Sequence, residues 1–350
     1  MKLNAHPMKA RIKFAMAVAI AAAAVCGVST GASAQDKRTL KYSSVFPANN
    51  WTFVESLKVF QEEAVRLSGG KIQFENYYAG QISKEGVNAL ATGLADVAIM
   101  VPSYEPAKLP LTSVAELPGL HSSSCEGTAK FWSAVRDGGV LNNAEYKPLG
   151  VKVLYGVVLT PYQVFTNKKP VTSLKDLEGL KIRANGAAMD KTVRALGAIP
   201  IRVTATELYD ALSRGTIDGA FWNAGATRNA GVEKVLKFAA MGPQLGGGTI
   251  VYGMRQQTWD ALTAEEKTTL TAAATKAQQH VCSYLDRADV DEVAWLTKNL
   301  GFKAFEMSKE ESARWNDRVK TIGMEWAKDM DSTGRPGSAL LKAYQELPAR

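Results

Sequence analysis

An arginine at the end of a predicted strand is the residue of this chain that most clearly suggests chemistry. In "EGLKIRANG", residues 178–186, Leu180 and Ile182 indicate a short buried strand, and Arg183 stands at its end. A buried unpaired charge is too costly to keep, so the guanidinium must reach water or meet a specific anion. A planar guanidinium offers two parallel N–H donors to a carboxylate, which lysine does not. Both interpretations, a surface arginine and a carboxylate receptor, are open at this point.

Other residues with metal-binding or nucleophilic side chains are few. His121, Cys125, His280 and Cys282 do not supply enough ligands at a usable spacing for a metal site, so neither a metal nor another cofactor is expected. "GVSTG" fits a nucleophile elbow, but it lies in the N-terminal segment described below, and no phosphate loop is found. We therefore predict no catalytic residue and no enzyme activity.

Two cysteines follow the N-terminal segment, Cys125 and Cys282. In an oxidising compartment they could form a disulfide, but a separation of 157 positions proves nothing without geometry. The sequence leaves both possibilities open, and free buried thiols are slightly favoured.

The N-terminus has the pattern of a cleavable signal peptide. Lys2, Lys9, Arg11 and Lys13 precede the apolar run "AMAVAIAAAAVCGVSTG", and "ASAQ" supplies small residues for cleavage after Ala34. The apolar run is too short for a stable membrane span. We predict that residues 1–34 are removed and that the mature protein is exported to the periplasm.

The charge of the mature chain argues against nucleic acid as a partner. Removing four basic residues and no acidic one lowers the formal net charge from +8 to +4. The remaining charges are dispersed, without a basic run interleaved with aromatic residues. The weak positive charge is compatible with anionic solutes, although net charge alone says little about them.

A repeated segment indicates how the chain is organised. "ALATGLADVAIM" (residues 89–100) and "ALSRGTIDGAFW" (residues 211–222) share Ala-Leu, Gly, Asp and Ala at identical spacing. Each predicts a helix end, a left-handed glycine (Gly93 or Gly215) and a following strand. With a strand before each helix, two similar α/β lobes are expected.

The segments between and after the repeats predict how the lobes connect. "GVKVLYGVV" and "YQVFTN" are predicted strands around one crossing, and the glycine-rich "GPQLGGGTIVYGM" is a second. Residues 263–300 contain neither Gly nor Pro, and a helix filling them would be roughly 55 Å long, enough to span both lobes. Ser308 and Glu311 predict a cap for a helix carrying Trp315 and Trp326. The predicted division is residues 35–160 with 249–288 for lobe I, and 161–248 with 289–350 for lobe II.

Several of these segments together resemble a known family. "DLEGLKIRANG", "ALGAIPIRVTATELYDALSRGTIDG", "YYAGQISKEGVNALATGLADVAIM" and "TWDALTAEEK" are similar to the substrate-binding proteins of TRAP (tripartite ATP-independent periplasmic) transporters, the DctP-like family. The resemblance covers most of the mature chain in the same order. It implies a two-lobed, venus-flytrap receptor that closes over an organic acid and delivers it to a membrane permease with a small and a large subunit.

The resemblance also assigns roles to single positions. It implies that Arg183, at the end of the "KIR" strand, makes the paired salt bridge to the solute carboxylate. Trp222 follows the "DG" aspartate by four residues and is implied to face the solute or to pack between the lobes. Further solute contacts are expected from Asn223, Tyr104, Phe46 and Asn50.

One departure bears on the solute. Sialic-acid-binding relatives carry a second arginine twenty positions before the first, where this chain has Gln163. Gln163 and Tyr162 are also expected to contact the solute. A glutamine forms hydrogen bonds but brings no charge. With Tyr162 and Trp222 nearby, the expected solute is a monocarboxylate with an apolar or aromatic body, such as a hydroxy or keto acid. Two other classes stay open: a sensor-coupled receptor for the same acid and, less favoured, a periplasmic enzyme.

Overall fold

The computed structural model describes Met1 and residues 37–348. The predicted signal peptide and its cleavage site lie outside the described residues. Within residues 37–348 the strands are β1 (Arg38–Ser43), β2 (Ile72–Tyr77), β3 (Val97–Met100), β4 (Val151–Val158), β5 (Gln163–Thr166), β6 (Lys181–Ala184), β7 (Ile199–Arg202), β8 (Gly219–Trp222), β9 (Phe238–Met241), β10 (Thr249–Arg255) and β11 (Lys303–Glu306).

The helices cover the faces and edges of these strands. They are α1 (Lys58–Leu67), α2 (Gly86–Ala91), α3 (Ser124–Val135), α4 (Leu174–Leu177), α5 (Ala187–Ala195), α6 (Leu208–Ser213), α7 (Gln256–Asp260), α8 (Ala264–Leu300), α9 (Lys309–Val319), α10 (Ile322–Ser332) and α11 (Gly337–Gln345). Short 3-10 turns at Leu111–Glu116 and Ala224–Ala226 also matter for the site.

Two sheets confirm the predicted α/β fold class. The first has the strand order β2-β1-β3-β10-β4 and the second β11-β9-β5-β8-β6-β7. The chain passes from the first sheet to the second between β4 and β5, and returns between β9 and β10. Both predicted crossings are therefore confirmed, and the glycine-rich segment forms the second of them.

The two sheets repeat one design, as the duplicated segment predicts. Gly93 and Gly215 have φ values of 73° and 71° and end their helices in the left-handed conformation. Asp96 accepts a hydrogen bond from the backbone N–H of Lys41 on β1 at 2.9 Å, and Asp218 accepts one from that of Lys181 on β6 at 3.0 Å. Each aspartate thus fixes the start of β3 or β8 against the strand beside it.

Helix α8 connects the two halves, as predicted from the window without Gly or Pro. It contacts α1, α3 and β4 of the first sheet's half, and β11 and the turn Ala224–Ala226 of the second. Its N-terminus is closed by a capping box in which Thr263 and Glu266 satisfy each other's backbone N–H groups. The helix ends at Gly301, whose φ of 64° places it in the left-handed region.

The cysteines correct one prediction. Cys125 and Cys282 form a disulfide that joins α3 to α8, so the preference for free thiols is wrong. The reason is local geometry that the sequence did not reveal. Asp286, one turn after Cys282, accepts hydrogen bonds from the backbone N–H groups of Ser124 and Cys125 at 2.6 and 3.2 Å. This cap holds the first turn of α3 against α8.

The C-terminal helices correct another prediction. Ser308 does cap a helix, accepting a hydrogen bond from the N–H of Glu311 at 3.1 Å. That helix, α9, ends at Val319, so Trp315 and Trp326 lie on two separate helices. The break lets α10 turn towards the first half, where the indole N–H of Trp326 donates to the hydroxyl of Ser113 at 2.8 Å.

Candidate solute-binding site

A cavity of about 340 Å³ lies between the two sheets. This volume is within the range of small-molecule sites in proteins. Its walls come from loops at the ends of strands in both sheets and from the two crossings. The aromatic residues of the lining are Phe46, Trp51, Tyr104, Tyr162 and Trp222. Much of the wall is therefore an apolar surface of the kind that buries an organic solute.

Arg183 enters this cavity from the end of β6, held by its neighbours in the second sheet. Its Nε donates to the backbone carbonyl of Val203 at 2.9 Å, and its Nη1 donates to that of Phe221 at 3.2 Å. Because β6 pairs in parallel with both β7 and β8, these two carbonyls converge on one guanidinium. The guanidinium carbon lies 5.1 Å from the centre of the Trp222 ring. The cation is consequently fixed in position before any solute arrives.

Arg183 carries a buried charge. The residue is 3% exposed, and it forms no ion pair with a carboxylate among residues 37–348. The two hydrogen bonds described above use two of its five N–H donors. Of the described residues that line the cavity, it is the one with a full charge. An anion that presents two acceptor oxygens fits this arrangement chemically.

Two tyrosines beside Arg183 stay in their neutral form. Burial raises the pKa of Tyr162 to about 12, and burial also raises the pKa of Tyr104, while the nearby Arg183 opposes both shifts. Tyr104 and Tyr162 therefore remain hydroxyl groups at any physiological pH. Each can donate a hydrogen bond to an anion held by Arg183.

Three hydrogen bonds join the opposite walls of the cavity. The backbone N–H of Trp51 donates to the side-chain oxygen of Asn229 at 2.8 Å. The hydroxyl of Tyr104 accepts from the backbone N–H of Ala205 at 2.9 Å, and Arg202 Nη2 donates to the carbonyl of Ser103 at 3.2 Å. Trp51, Ser103 and Tyr104 belong to loops of the first sheet, and their partners to the second. The structure is therefore a closed form of the site.

The sequence model of the family "Bacterial extracellular solute-binding protein, family 7" (DctP) matches residues 42–329. This match spans most of the chain and both sheets. The chain belongs to this family. The resemblance predicted from the motifs is thereby confirmed.

Individual relatives agree with this assignment. The C4-dicarboxylate-binding periplasmic protein DctP of Rhodobacter capsulatus is 24% identical over 275 residues, which is 77% of this chain and 80% of that protein. A TRAP solute-binding protein of Rhodoferax ferrireducens with copurified benzoate superposes with a TM-score of 0.79 at 22% identity, covering 88% of this chain and 97% of its own. A marine metagenome TRAP solute-binding protein specific for aromatic acid ligands has a TM-score of 0.80 at 22% identity, covering 89% and 98%. These likenesses show the two-lobed fold.

Most residues predicted for the site of this solute-binding protein meet at the cavity. Seven of them line it: Phe46, Asn50, Tyr104, Tyr162, Arg183, Trp222 and Asn223. They come from five separate stretches of sequence. The fold brings them to one place.

Gln163 requires a correction, because its side chain does not line the cavity. Its Oε1 accepts from the backbone N–H of Gly242 at 2.8 Å, and its Nε2 donates to the carbonyls of Pro161 and Pro243 at 3.2 and 3.1 Å. Successive side chains of a strand point to opposite faces, so Tyr162 faces the cavity and Gln163 faces away. Gln163 instead holds the two crossings together.

Several lining residues were missed by the sequence analysis. They include Trp51, Ser103, Thr206, Asn229 and Thr249, which lie in turns, in short helical segments or at the start of a strand. The position of Trp51 next to Asn50 was a usable signal, because both belong to the loop that follows β1. The other positions carry no motif, and only the closure of the two walls brings them together.

The described histidine and cysteine residues were also considered as metal ligands. Within the described ranges no group of three or more His, Cys, Asp or Glu is arranged to hold a metal ion. The Nε2 atom of His121 lies 3.1 Å from the carbonyl oxygen of Leu159, and burial lowers the pKa of this histidine.

In the part of the chain that the structure describes, no helix combines the length and apolar character needed to cross a membrane.

Proposed function

We propose that this protein is a periplasmic receptor of a TRAP transporter that binds a small monocarboxylate with an apolar or aromatic body. The acid lies in the cavity between the two lobes with its carboxylate on Arg183. The receptor then presents it to a membrane permease with a small and a large subunit. No cofactor and no catalytic residue take part.

The observation that carries this proposal is the state of Arg183. It is a buried cation with unused donors, located on a cavity wall and without an ion pair in the described chain. An uncompensated buried charge is costly, and a solute carboxylate offsets that cost while accepting two parallel hydrogen bonds. The neutral hydroxyls of Tyr104 and Tyr162 add donors beside it.

The remaining walls support one carboxylate rather than two. The aromatic lining offers no second cation among the described residues, so a second carboxylate would be buried without a partner. This distinguishes the site from what the name of the Rhodobacter capsulatus relative states, C4-dicarboxylate binding. Benzoate in the Rhodoferax ferrireducens protein and metahydroxyphenylacetate in the marine protein are the kind of solute that the proposal requires.

Closure would follow from contacts that both lobes make with the same solute. A ligand shifts a hinge only by binding the closed form better than the open one. The proposed lobes are those predicted from sequence, residues 35–160 with 249–288 and residues 161–248 with 289–350. The distribution of the strands over two sheets supports this division, and the two crossings would act as the hinge.

Thermal unfolding of the mature protein with a panel of organic acids tests the proposal. A solute that binds the folded state alone raises the melting temperature by mass action. We expect benzoate, mandelate or related monocarboxylates to raise it and succinate not to. Arg183→Ala should remove the shift, whereas Arg194→Lys, at an exposed arginine on α5, should retain it. Equal shifts for wild type and Arg183→Ala, or no shift with any acid, would contradict the proposal.

A further inference from the structure

A buried acid lies behind the cavity, and sequence analysis did not identify it. Glu116 ends the turn Leu111–Glu116 of the first lobe and is 2% exposed. Its Oε1 accepts a hydrogen bond from the backbone N–H of Thr249 at 3.1 Å. Its Oε2 has no hydrogen-bond partner among the described residues. One oxygen of this carboxyl group is therefore buried without the donor that an ionised carboxylate needs.

The second lobe closes over this oxygen. Gly186 lies two residues after the end of β6, and a Cβ atom added to it would lie 3.4 Å from Glu116 Oε2 and 3.0 Å from the Cβ of Ser103. The φ of Gly186 is 95°, a value that favours glycine. Glu116 thus lies at the contact between the lobes rather than in the core of one lobe. The residue that contacts it, Gly186, is three residues after Arg183.

Of the titratable groups described around Glu116, Arg183 is the one that carries a charge, and the others are neutral. Arg183 on β6 acts on it electrostatically from the second lobe. Tyr162 from the crossing and Tyr146 from the first lobe also interact with it, but burial raises both of their pKa values, so both are neutral. His121 lies beside the neighbouring residue Gly247, and burial lowers its pKa, so it is neutral as well.

The charges around the cavity must balance when an anion is bound. A solute carboxylate would neutralise Arg183 and leave no positive charge for a second anion. An ionised Glu116 would then be a buried charge without a partner, which is strongly unfavourable. In agreement with this, burial already raises the pKa of Glu116 to about 8.

We propose that Glu116 couples solute binding to a proton, because it must hold a proton when the cavity holds an anion. Anion and proton then bind together, and a deprotonated Glu116 competes with the solute for the charge of Arg183. This inference rests on the proposed function, since it assumes that an acid binds at Arg183. It concerns a group that need not touch the solute.

The first measurement is isothermal titration calorimetry with benzoate and mandelate at about pH 7 and about pH 9. Both solutes are ionised at both values. For wild type, the Kd should rise roughly tenfold, because one proton must be bound together with the anion above the pKa of Glu116. At the higher pH, buffers of different ionisation enthalpy should reveal proton uptake of up to about one per solute. Glu116→Gln should bind as wild type does at about pH 7 and should lose both the rise and the uptake.

A control separates Glu116 from other buried acids of the first lobe. Burial raises the pKa values of Glu105 and Glu145 to about 7, so they titrate in a similar range. Glu145 accepts backbone hydrogen bonds from Leu111 and Thr112 at 2.6 and 2.9 Å, at the other end of the same turn. Glu145→Gln should keep the proton uptake that accompanies the solute. A wild-type Kd that is independent of pH, or uptake that persists in Glu116→Gln, would overturn the proposal.

A second measurement needs no solute. The pKa of Glu116 in the folded protein is above that of an unfolded glutamate, so its contribution to stability is fully present below about pH 4.3. That contribution is lost as the pH rises through about 8. Relative to Glu116→Gln, the wild-type melting temperature should therefore decrease across this range. If neither benzoate nor mandelate binds, the proposed function fails. Separately, melting temperatures of wild type and Glu116→Gln that change in parallel with pH would overturn the role of Glu116.

Discussion

The two lobes share the arrangement of five strands, to which the second lobe adds β11, and they differ at the position that carries the charge. Ser43 on β1 pairs with Ala98 on β3, and Arg183 on β6 pairs with Ala220 on β8. Each stands two residues after a lysine whose backbone is fixed by the aspartate of the repeated segment. Ser43 and Arg183 are therefore equivalent, and both are buried. One scaffold holds a small hydroxyl in the first lobe and a guanidinium in the second.

This difference gives the lobes different tasks in the proposed mechanism. The second lobe supplies the cation and the carbonyls that orient it. The first lobe supplies Phe46, Asn50 and Tyr104 from loops, without a charge on the cavity wall. We infer that the second lobe captures the carboxylate and that the first closes over the solute body.

Making the second lobe resemble the first should have the largest effect. Arg183→Ser places the first-lobe residue at the equivalent position and removes two charge-assisted hydrogen bonds, each on the order of 1.5–3 kcal/mol. The Kd for benzoate should increase by about a hundredfold or more, measured by calorimetry. The matched control makes the same substitution at an exposed arginine of α5: Arg194→Ser should leave the Kd unchanged. A weakening of less than about tenfold would mean that Arg183 is not the main receptor.

The aromatic partner of the arginine should have an intermediate effect. Trp222 is the fourth residue after Asp218, as Met100 is after Asp96, so Trp222→Met again imitates the first lobe. The indole contributes apolar contact and a cation–π interaction with Arg183, and the loss should increase the Kd about tenfold. A fluorescence titration would measure it through the remaining tryptophans. An unchanged Kd would show that Trp222 only packs between the lobes.

The smallest effect is expected at the site residue that the structure corrects. Gln163→Ala removes hydrogen bonds between the crossings but no group from the cavity wall. The Kd should stay within about twofold of the wild-type value. The melting temperature should fall by a few degrees, because each hydrogen bond makes a net contribution of about 1 kcal/mol to stability. Calorimetry and thermal unfolding separate the two. A large loss of affinity with an unchanged melting temperature would restore Gln163 to the solute site.

The sequence predicted the repeated part of the fold well because its signals are local. Gly93, Gly215 and the long window without Gly or Pro specify a helix end or a helix from a few neighbouring residues. The disulfide and the break between α9 and α10 depend on contacts between distant segments. Asp286 caps α3, and Trp326 donates to Ser113. Each contact joins residues far apart in the chain, so no short stretch of sequence shows it.

The site was predicted where a motif marks it and missed where only closure forms it. Arg183 and Trp222 lie in segments that resemble the family, so the resemblance located them. Gln163 was misplaced because spacing alone does not state which face of β5 a residue occupies. Glu116 and Asn229 reach the site through the approach of the lobes, which no short stretch of sequence encodes.

The most direct test of carboxylate binding at Arg183 is a crystal structure of the mature protein with benzoate, or with the acid that gives the largest thermal shift. Both carboxylate oxygens should lie within hydrogen-bonding distance of Arg183, with the ring against Trp222 and the lobes closed. A carboxylate bound elsewhere in the cavity, with Arg183 contacting only protein atoms, would contradict this prediction.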